Sequence, residues 1–490
     1  MILGVVSMLL LLALLSGPSD TLVVGTTGDP ATLDPHRAVD LVSAAVVSPV
    51  CEPLVRFRPD GARAEGVLAT TWATRDNRTW TFTLREGVRF QDGTPFDSEA
   101  VLANIESLRT AQGFGGHAER LGPHAVAIVL ERPSAALLAT LSQAFYGMQS
   151  PRSLGRTRQP VGTGPFRFVA SHPGRVELAA DTGHWGGAPR LGRVVFRRYD
   201  SEDALVSALL SGEVDVVPSL PEERVAALRR QPSIALDSKT GLNLVYLALN
   251  NERPPFGDRR VRRAIALSID RRGITASLLG GHGEPARNPL PPSIWGYASN
   301  TKELRHDPDT ARRLLADAGF PNGFQTALLA GTTPRPYLHE PLALALRLRD
   351  DLAGVGIRAR VESLDRWEEF RERGQRGEFE MAVFGWQADS TDPNDFLSAL
   401  LGSAAIDASN RSRYRSGTMD RLLKRGQTST EPEARLAAYR QAQELFQEEM
   451  PMIPLYHAPV FTASRETVNG LQISPTGLLR YEKVWKAERP

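Results

Sequence analysis

EFEMAVFGW, residues 378–386, runs directly into QADSTDPNDF, residues 387–396. The first stretch reads as a buried strand ending at an exposed Trp386. The second reads as a loop that carries three carboxylates, Asp389, Asp392 and Asp395. No nucleophile and no general base stands beside them. Acids and an indole at a strand end suit the holding of a cationic or amide-rich ligand. Spacing alone also allows a solvated loop whose Asp caps the next helix.

Strand and helix patterns alternate on both sides of this junction. Upstream of it, 325–329 and 357–361 read as strands, and 338–352 and 365–373 as helices. Downstream, 431–449 is a long amphipathic helix followed by a strand at 452–457. Residues 244–250, LVYLALN, form a continuous apolar strand. After Pro254-Pro255, one helix is expected over 258–271, and Asp307-Pro308 starts another. Nearer the N-terminus, strands are expected at 22–25, around Trp80, Phe82 and Leu84, and at 125–130. Asp97 caps a helix with Val101, Leu102, Ile105 and Leu108 on one face, and Pro133 opens a further one. The strand 194–199, helix 201–210 and strand 214–217 make a β-α-β unit, which favours a partly parallel sheet. The Gly/Pro-rich stretch 160–168, PVGTGPFRF, marks a change of domain.

The bulk numbers fit this picture. A chain of 490 residues, 41% hydrophobic, is too long for one core and implies two or three domains. A net charge of +2 calls for no polyanionic partner. Of 58 basic residues 53 are Arg, but they alternate with acids instead of banking along one face, so no nucleic-acid footprint is present. The one cysteine, Cys51, excludes an internal disulfide and a Cys-based metal cluster. The first 15 residues are almost wholly apolar and are followed by Ser16, Gly17, Pro18 and Ser19. That length suits an export signal, here taken as 1–19, and is short for a membrane span. No Cys follows it to carry a lipid anchor.

Catalytic signatures are weak. Lys239-Thr240-Gly241 and Ser299-x-x-Lys302 resemble two elements of a serine acyl-transfer set, in the wrong order and without the third. There is no Gly-x-Ser-x-Gly elbow and no phosphate loop. The nine histidines form no His-x-x-x-His pair, so neither a metal site nor a cofactor is expected. Paired carboxylates of a glycosidase usually come from different elements, whereas these acids share one loop.

Six segments behind an apolar leader are collinear with one family: TTGDPATLDPH, VCEPLVRFRPDG, LREGVRFQDGTPFDSEAV, PVGTGPFRF, the run from Leu242 through Arg271, and GWQADSTDPNDFL. The chain resembles the family 5 extracellular solute-binding proteins, the dipeptide, oligopeptide and nickel receptors of ABC importers. The resemblance covers nearly everything from Leu22 onward. It implies an α/β, two-lobed periplasmic binding protein fold with three domains, mixed sheets and a hinge. Domain I would comprise 21–45, 160–243 and 462–490; domain II, 46–159; and domain III, 244–461. The strands at 244–250 and 452–457 would be the two crossings between lobes. It implies a monomeric, non-catalytic periplasmic receptor that binds a small molecule or short peptide and delivers it to ABC permease subunits. Asp389 would pair with the ligand's terminal ammonium, with Trp386, Thr27, Gly28 and Tyr146 contributing contacts. Arg152, Arg156 and Arg158 would be available for a peptide carboxylate. Nickel-binding members carry an Arg near the position of Gly147, which this chain lacks. A nickel chelate, a sugar or another small solute is the alternative ligand. A hydrolase, or an unexported ligand sensor, is the alternative of another class.

Overall fold

The computed structural model describes residues 20–487 except 39, 59–62, 157, 221, 304 and 475. The expected export signal at 1–19 lies outside the described residues. Three large sheets organise the rest. The first has seven strands in the order Ile234–Thr240, Pro459–Arg465, Val216–Leu220, Thr21–Thr26, Arg193–Arg198, Arg175–Ala180 and Phe166–His172. Thr21–Thr26 runs parallel to both neighbours, Arg193–Arg198 and Val216–Leu220. The β-α-β unit read from the sequence is therefore present, with the N-terminal strand inserted between its two strands. Its helix, Glu202–Ser211, is capped by Ser201 and stopped by Gly212 in the left-handed region at φ 85°.

The second sheet has six strands, ordered Glu284–Pro285, Met452–His457, Asn243–Leu249, Met381–Gln387, Gln325–Gly331 and Arg358–Leu364. Every residue of Asn243–Leu249 is buried. A central strand covered on both faces has no polar side to show, which is why this stretch is apolar throughout. The third sheet, of four antiparallel strands between Ala69 and Leu130, packs the helix Ser98–Gln112, whose cap is Asp97.

Separate apolar cores follow these sheets. One is built wholly from residues 242–458, another from residues 54–148, and the remainder from segments near both ends of the chain and 166–234. The protein is an α/β molecule of two lobes, the first enlarged by the four-stranded insertion. Three local expectations change. The helix expected at Pro133 starts later, as Leu137–Leu141. The helix expected over 258–271 is two, Arg259–Ser268 and Arg271–Leu278, because the Asp270 carboxylate accepts from the Gly273 N–H and starts a new one. The strands expected as crossings lie wholly inside the second sheet. The crossings themselves are the two-residue link 241–242 and the single residue Ala458. Pro459–Arg465 pairs along its length with Ile234–Thr240, so the first lobe resumes three residues before the 461/462 boundary drawn from the sequence.

One side chain binds the two crossings together. Asn243 Nδ2 donates to the Ala458 carbonyl at 3.0 Å, and its Oδ1 accepts from the Ala458 N–H at 2.7 Å. The Gly241 N–H donates to the same carbonyl at 3.0 Å. His457 Nδ1 donates to the Asn243 carbonyl at 2.7 Å, and burial holds that ring neutral with a pKa near 4. Replacing Asn243 by Ala strands a buried N–H, at a cost of about 1–3 kcal/mol. Urea denaturation of Asn243→Ala is expected to show that loss; an unchanged midpoint contradicts the clasp.

Candidate functional site

The strand Met381–Gln387 pairs with Asn243–Leu249 so that Gln387 stands opposite Asn243. The Ala388 N–H then donates to the Leu242 carbonyl at 2.8 Å. The acidic loop therefore leaves its sheet at the crossing between lobes. Two of its three acids hold it in shape. Asp395 Oδ2 accepts from the N–H groups of Asp389 at 3.2 Å and Ser390 at 3.1 Å, and from Ser390 Oγ at 3.1 Å. Asp392, which is buried, accepts from the Asn394 N–H at 3.0 Å and pairs with the partly buried Arg435 at 2.8 Å. Arg435 also lies over the Trp295 ring at 4.9 Å.

Asp389 is different. Its residue is exposed, and its carboxylate has no hydrogen bond or ion pair among the described residues. Protein nevertheless surrounds it closely enough for desolvation to push its pKa above the usual range. It is open to solvent but walled in, as in a cleft. Asp395 beneath it is pushed up to about 6, by burial first and by the Asp389 charge second.

Two adjoining cavities occupy the space between the lobes. The smaller, about 150 Å³, is lined by Asp389 and Ser390 from the second lobe and by Cys51, Phe145, Phe166 and Arg480 from the first. The larger, about 350 Å³, takes in Thr27, Lys239, Arg335, Tyr337, His339 and Phe461. Both are bordered by Leu41, Gln387 and Tyr481. Glu222 also faces the larger cavity; burial pushes it up to about 7, and its Oε1 is buried without a partner.

The residues singled out from the sequence separate here. Asp389 and Thr27 line the cavities. Tyr146 is half-buried against the insertion's core, edge-to-face with Phe114 at 6.1 Å. Burial, then the charge of Asp389, raises its hydroxyl pKa, which places it within electrostatic reach of that carboxylate. Gly28 lines neither cavity; its carbonyl accepts from Thr26 Oγ1 at 2.9 Å. Trp386 is not the exposed indole expected. It is half-buried against the second lobe's core, its N–H donates to the Asp395 carbonyl at 2.9 Å, and it lines neither cavity. Arg152, Arg156 and Arg158 are exposed and line neither. At Gly147 a Cβ would sit 2.5 Å from the Cys51 carbonyl, so no arginine fits there. Among the described residues no group of three metal-ligating side chains forms.

Arg335 was missed by the sequence reading. Its guanidinium carbon lies 3.5 Å from the Trp367 ring centroid, and its Nε is buried without a hydrogen-bond partner. It stands between Pro334 and Pro336, in a turn anchored by Tyr337, whose ring fills the space above Gly385 on the strand leading to Asp389. An Arg fixed between two prolines was the available signal. By contrast Lys239, on the same cavity, already donates to the Ile473 carbonyl at 2.9 Å.

Residues 63–408 match the family model described as bacterial extracellular solute-binding proteins, family 5 Middle. The chain is 30% identical to heme-binding protein A of Haemophilus influenzae, over 94% of this chain and 91% of that one. It is 29% identical to di/tripeptide-binding protein 2 of Pseudomonas aeruginosa, over 95% and 94%. The solved structure of HbpA2 from Haemophilus parasuis superposes with a TM-score of 0.89 at 26% identity, covering 96% of this chain and all of that one.

Asp395 gives the site a pH signature. Its folded pKa is raised above that of a free carboxyl, so the folded protein holds this proton more tightly than the unfolded chain does. The stability it contributes is complete below about pH 4 and is lost as pH rises through 6. Melting temperatures measured from pH 4 to 7 should show this slope, and Asp395→Asn should flatten it. Identical curves for both proteins contradict the assignment.

Proposed function

We propose that this chain, which belongs to the bacterial extracellular solute-binding proteins of family 5, is the periplasmic receptor of an ABC importer and carries short peptides to its permease. The observation that carries this reading is a cleft between lobes bearing two charges of opposite sign, Asp389 and Arg335, without ion-pair partners among the described residues. A free peptide is a zwitterion. Its ammonium suits a carboxylate whose desolvation is relieved by a cation, and its carboxylate suits a guanidinium held flat on an indole. The di/tripeptide-binding relative, similar over nearly the full length, supports the same ligand class.

Magnitudes show how the binding energy must be divided. Each charge-assisted bond is worth about 1.5–3 kcal/mol, and micromolar affinity requires about 8 kcal/mol. Two ends alone fall short. The difference comes from backbone hydrogen bonds and apolar contact as the lobes close, with ligand selecting the closed arrangement. The roles of Thr27 and Tyr146 belong to that closure. Export by the apolar leader, a monomeric state and a purely non-catalytic role are part of the same proposal.

A thermal-shift screen with di- and tripeptides is the direct test, since a saturating ligand raises the apparent melting point. Peptides are expected to stabilise the protein, and Asp389→Asn to weaken binding about tenfold or more while leaving the ligand chemically intact. A clear shift with haem, a sugar or a nickel chelate, and none with any peptide, overturns the peptide reading.

A further inference from the structure

The smaller cavity also contains a guanidinium that peptide ends leave unused. Arg480, half-buried on the strand Leu479–Arg480, lines the same cavity as Asp389. One of its N–H groups donates to the Phe57 carbonyl at 2.9 Å, and it makes no ion pair among the described residues. The nearby acids are committed elsewhere. Glu65 accepts from Arg56 at 2.7 Å and lies 3.7 Å from Arg58, while Glu482 accepts from Arg56 at 3.3 Å. Burial, then repulsion from Arg56, lowers the pKa of Arg480, and the charges of Glu482 and Glu65 offset this only in part.

The remaining carboxylate of this wall, Glu52, is saturated internally. It accepts from Thr163 Oγ1 at 2.9 Å and Trp185 Nε1 at 2.8 Å, and lies 3.2 Å from His184 Nε2. Phe57, Val67, Phe145 and Phe166 supply apolar lining to the same cavity. The cavity thus brings together a carboxylate for an ammonium, apolar side chains for a short stem, and a half-buried guanidinium without an ion pair among the described residues for its tip.

Resting on the reading of Asp389 as the ammonium anchor, we propose that this cavity receives the peptide's first side chain and that Arg480 selects an acidic one, so that the preferred ligands begin with Glu. A carboxylate there gains charge-assisted hydrogen bonds in a partly desolvated site. Repulsion by Asp389 opposes it, and the bound ammonium cancels that repulsion. Gln has the same length and shape without the charge, so comparing Glu-Ala with Gln-Ala isolates the effect of Arg480.

Isothermal titration of both dipeptides, against wild type and Arg480→Gln, tests this. Wild type is expected to bind Glu-Ala about tenfold more tightly than Gln-Ala. Arg480→Gln should bring the two together while leaving Gln-Ala affinity in place, which also shows that the variant folds. Arg480→Lys should retain part of the preference. Equal affinities in wild type, or a preference that survives Arg480→Gln, overturns the inference and leaves the peptide reading standing. If neither dipeptide binds wild type, the peptide reading fails and the inference falls with it.

Discussion

The paired hydrogen bonds between the Asn243 side chain and the backbone of Ala458 are the constraint on which the rest of the molecule depends. Two lobes share a cleft only where the links between them are few and lie side by side. Here the links are one and two residues long, and one amide fastens them to each other. Asn suits this role because it offers a donor and an acceptor from one planar group. The neutral His457 ring adds a bond without placing a charge at the pivot. Register then carries the constraint outward. Gln387 pairs opposite Asn243, so the acidic loop begins where the lobes meet.

Charge in this loop is divided by burial. Asp392 is neutralised by Arg435, and Asp395 is spent on the N–H groups of the loop itself. The Asp389 backbone is held by those bonds, and its carboxylate has no partner of its own among the described residues. A carboxylate that is desolvated yet unpaired holds free energy in reserve, and a cation arriving there recovers it. Arg335 is of the opposite sign, stacked on Trp367 and without a salt bridge among the described residues. In the proposed peptide site, these two groups are the ones left for a ligand while their neighbours are satisfied within the protein.

Much of this was legible in the sequence. Strand and helix periods located most elements, since each lobe buries apolar faces of fixed period. Asp97, Ser201, Asp258 and Asp307 marked helix starts that the structure confirms. Asp389 was singled out among the three acids of the loop only by the family resemblance; spacing alone did not separate it from Asp392 and Asp395. Trp386 misled, because an aromatic at a strand end gives no sign of whether its N–H is already used. Arg335 and Arg480 were lost among 53 arginines. What sets them apart is a place on the cavity wall with no ion pair among the described residues, a property of packing that no spacing encodes. The hinge was placed one strand too deep on each side, since a buried strand and the link beside it are both apolar.

The central claim is that opposite ends of one ligand meet Asp389 and Arg335. Calorimetry on one dipeptide, its N-acetylated form and its C-terminal amide, each against wild type, Asp389→Asn and Arg335→Gln, tests it most directly. Acetylation should cost affinity in wild type and little further in Asp389→Asn, and amidation should behave likewise with Arg335→Gln. Additive losses in both pairings, with each variant as sensitive to its blocked end as wild type, contradict it.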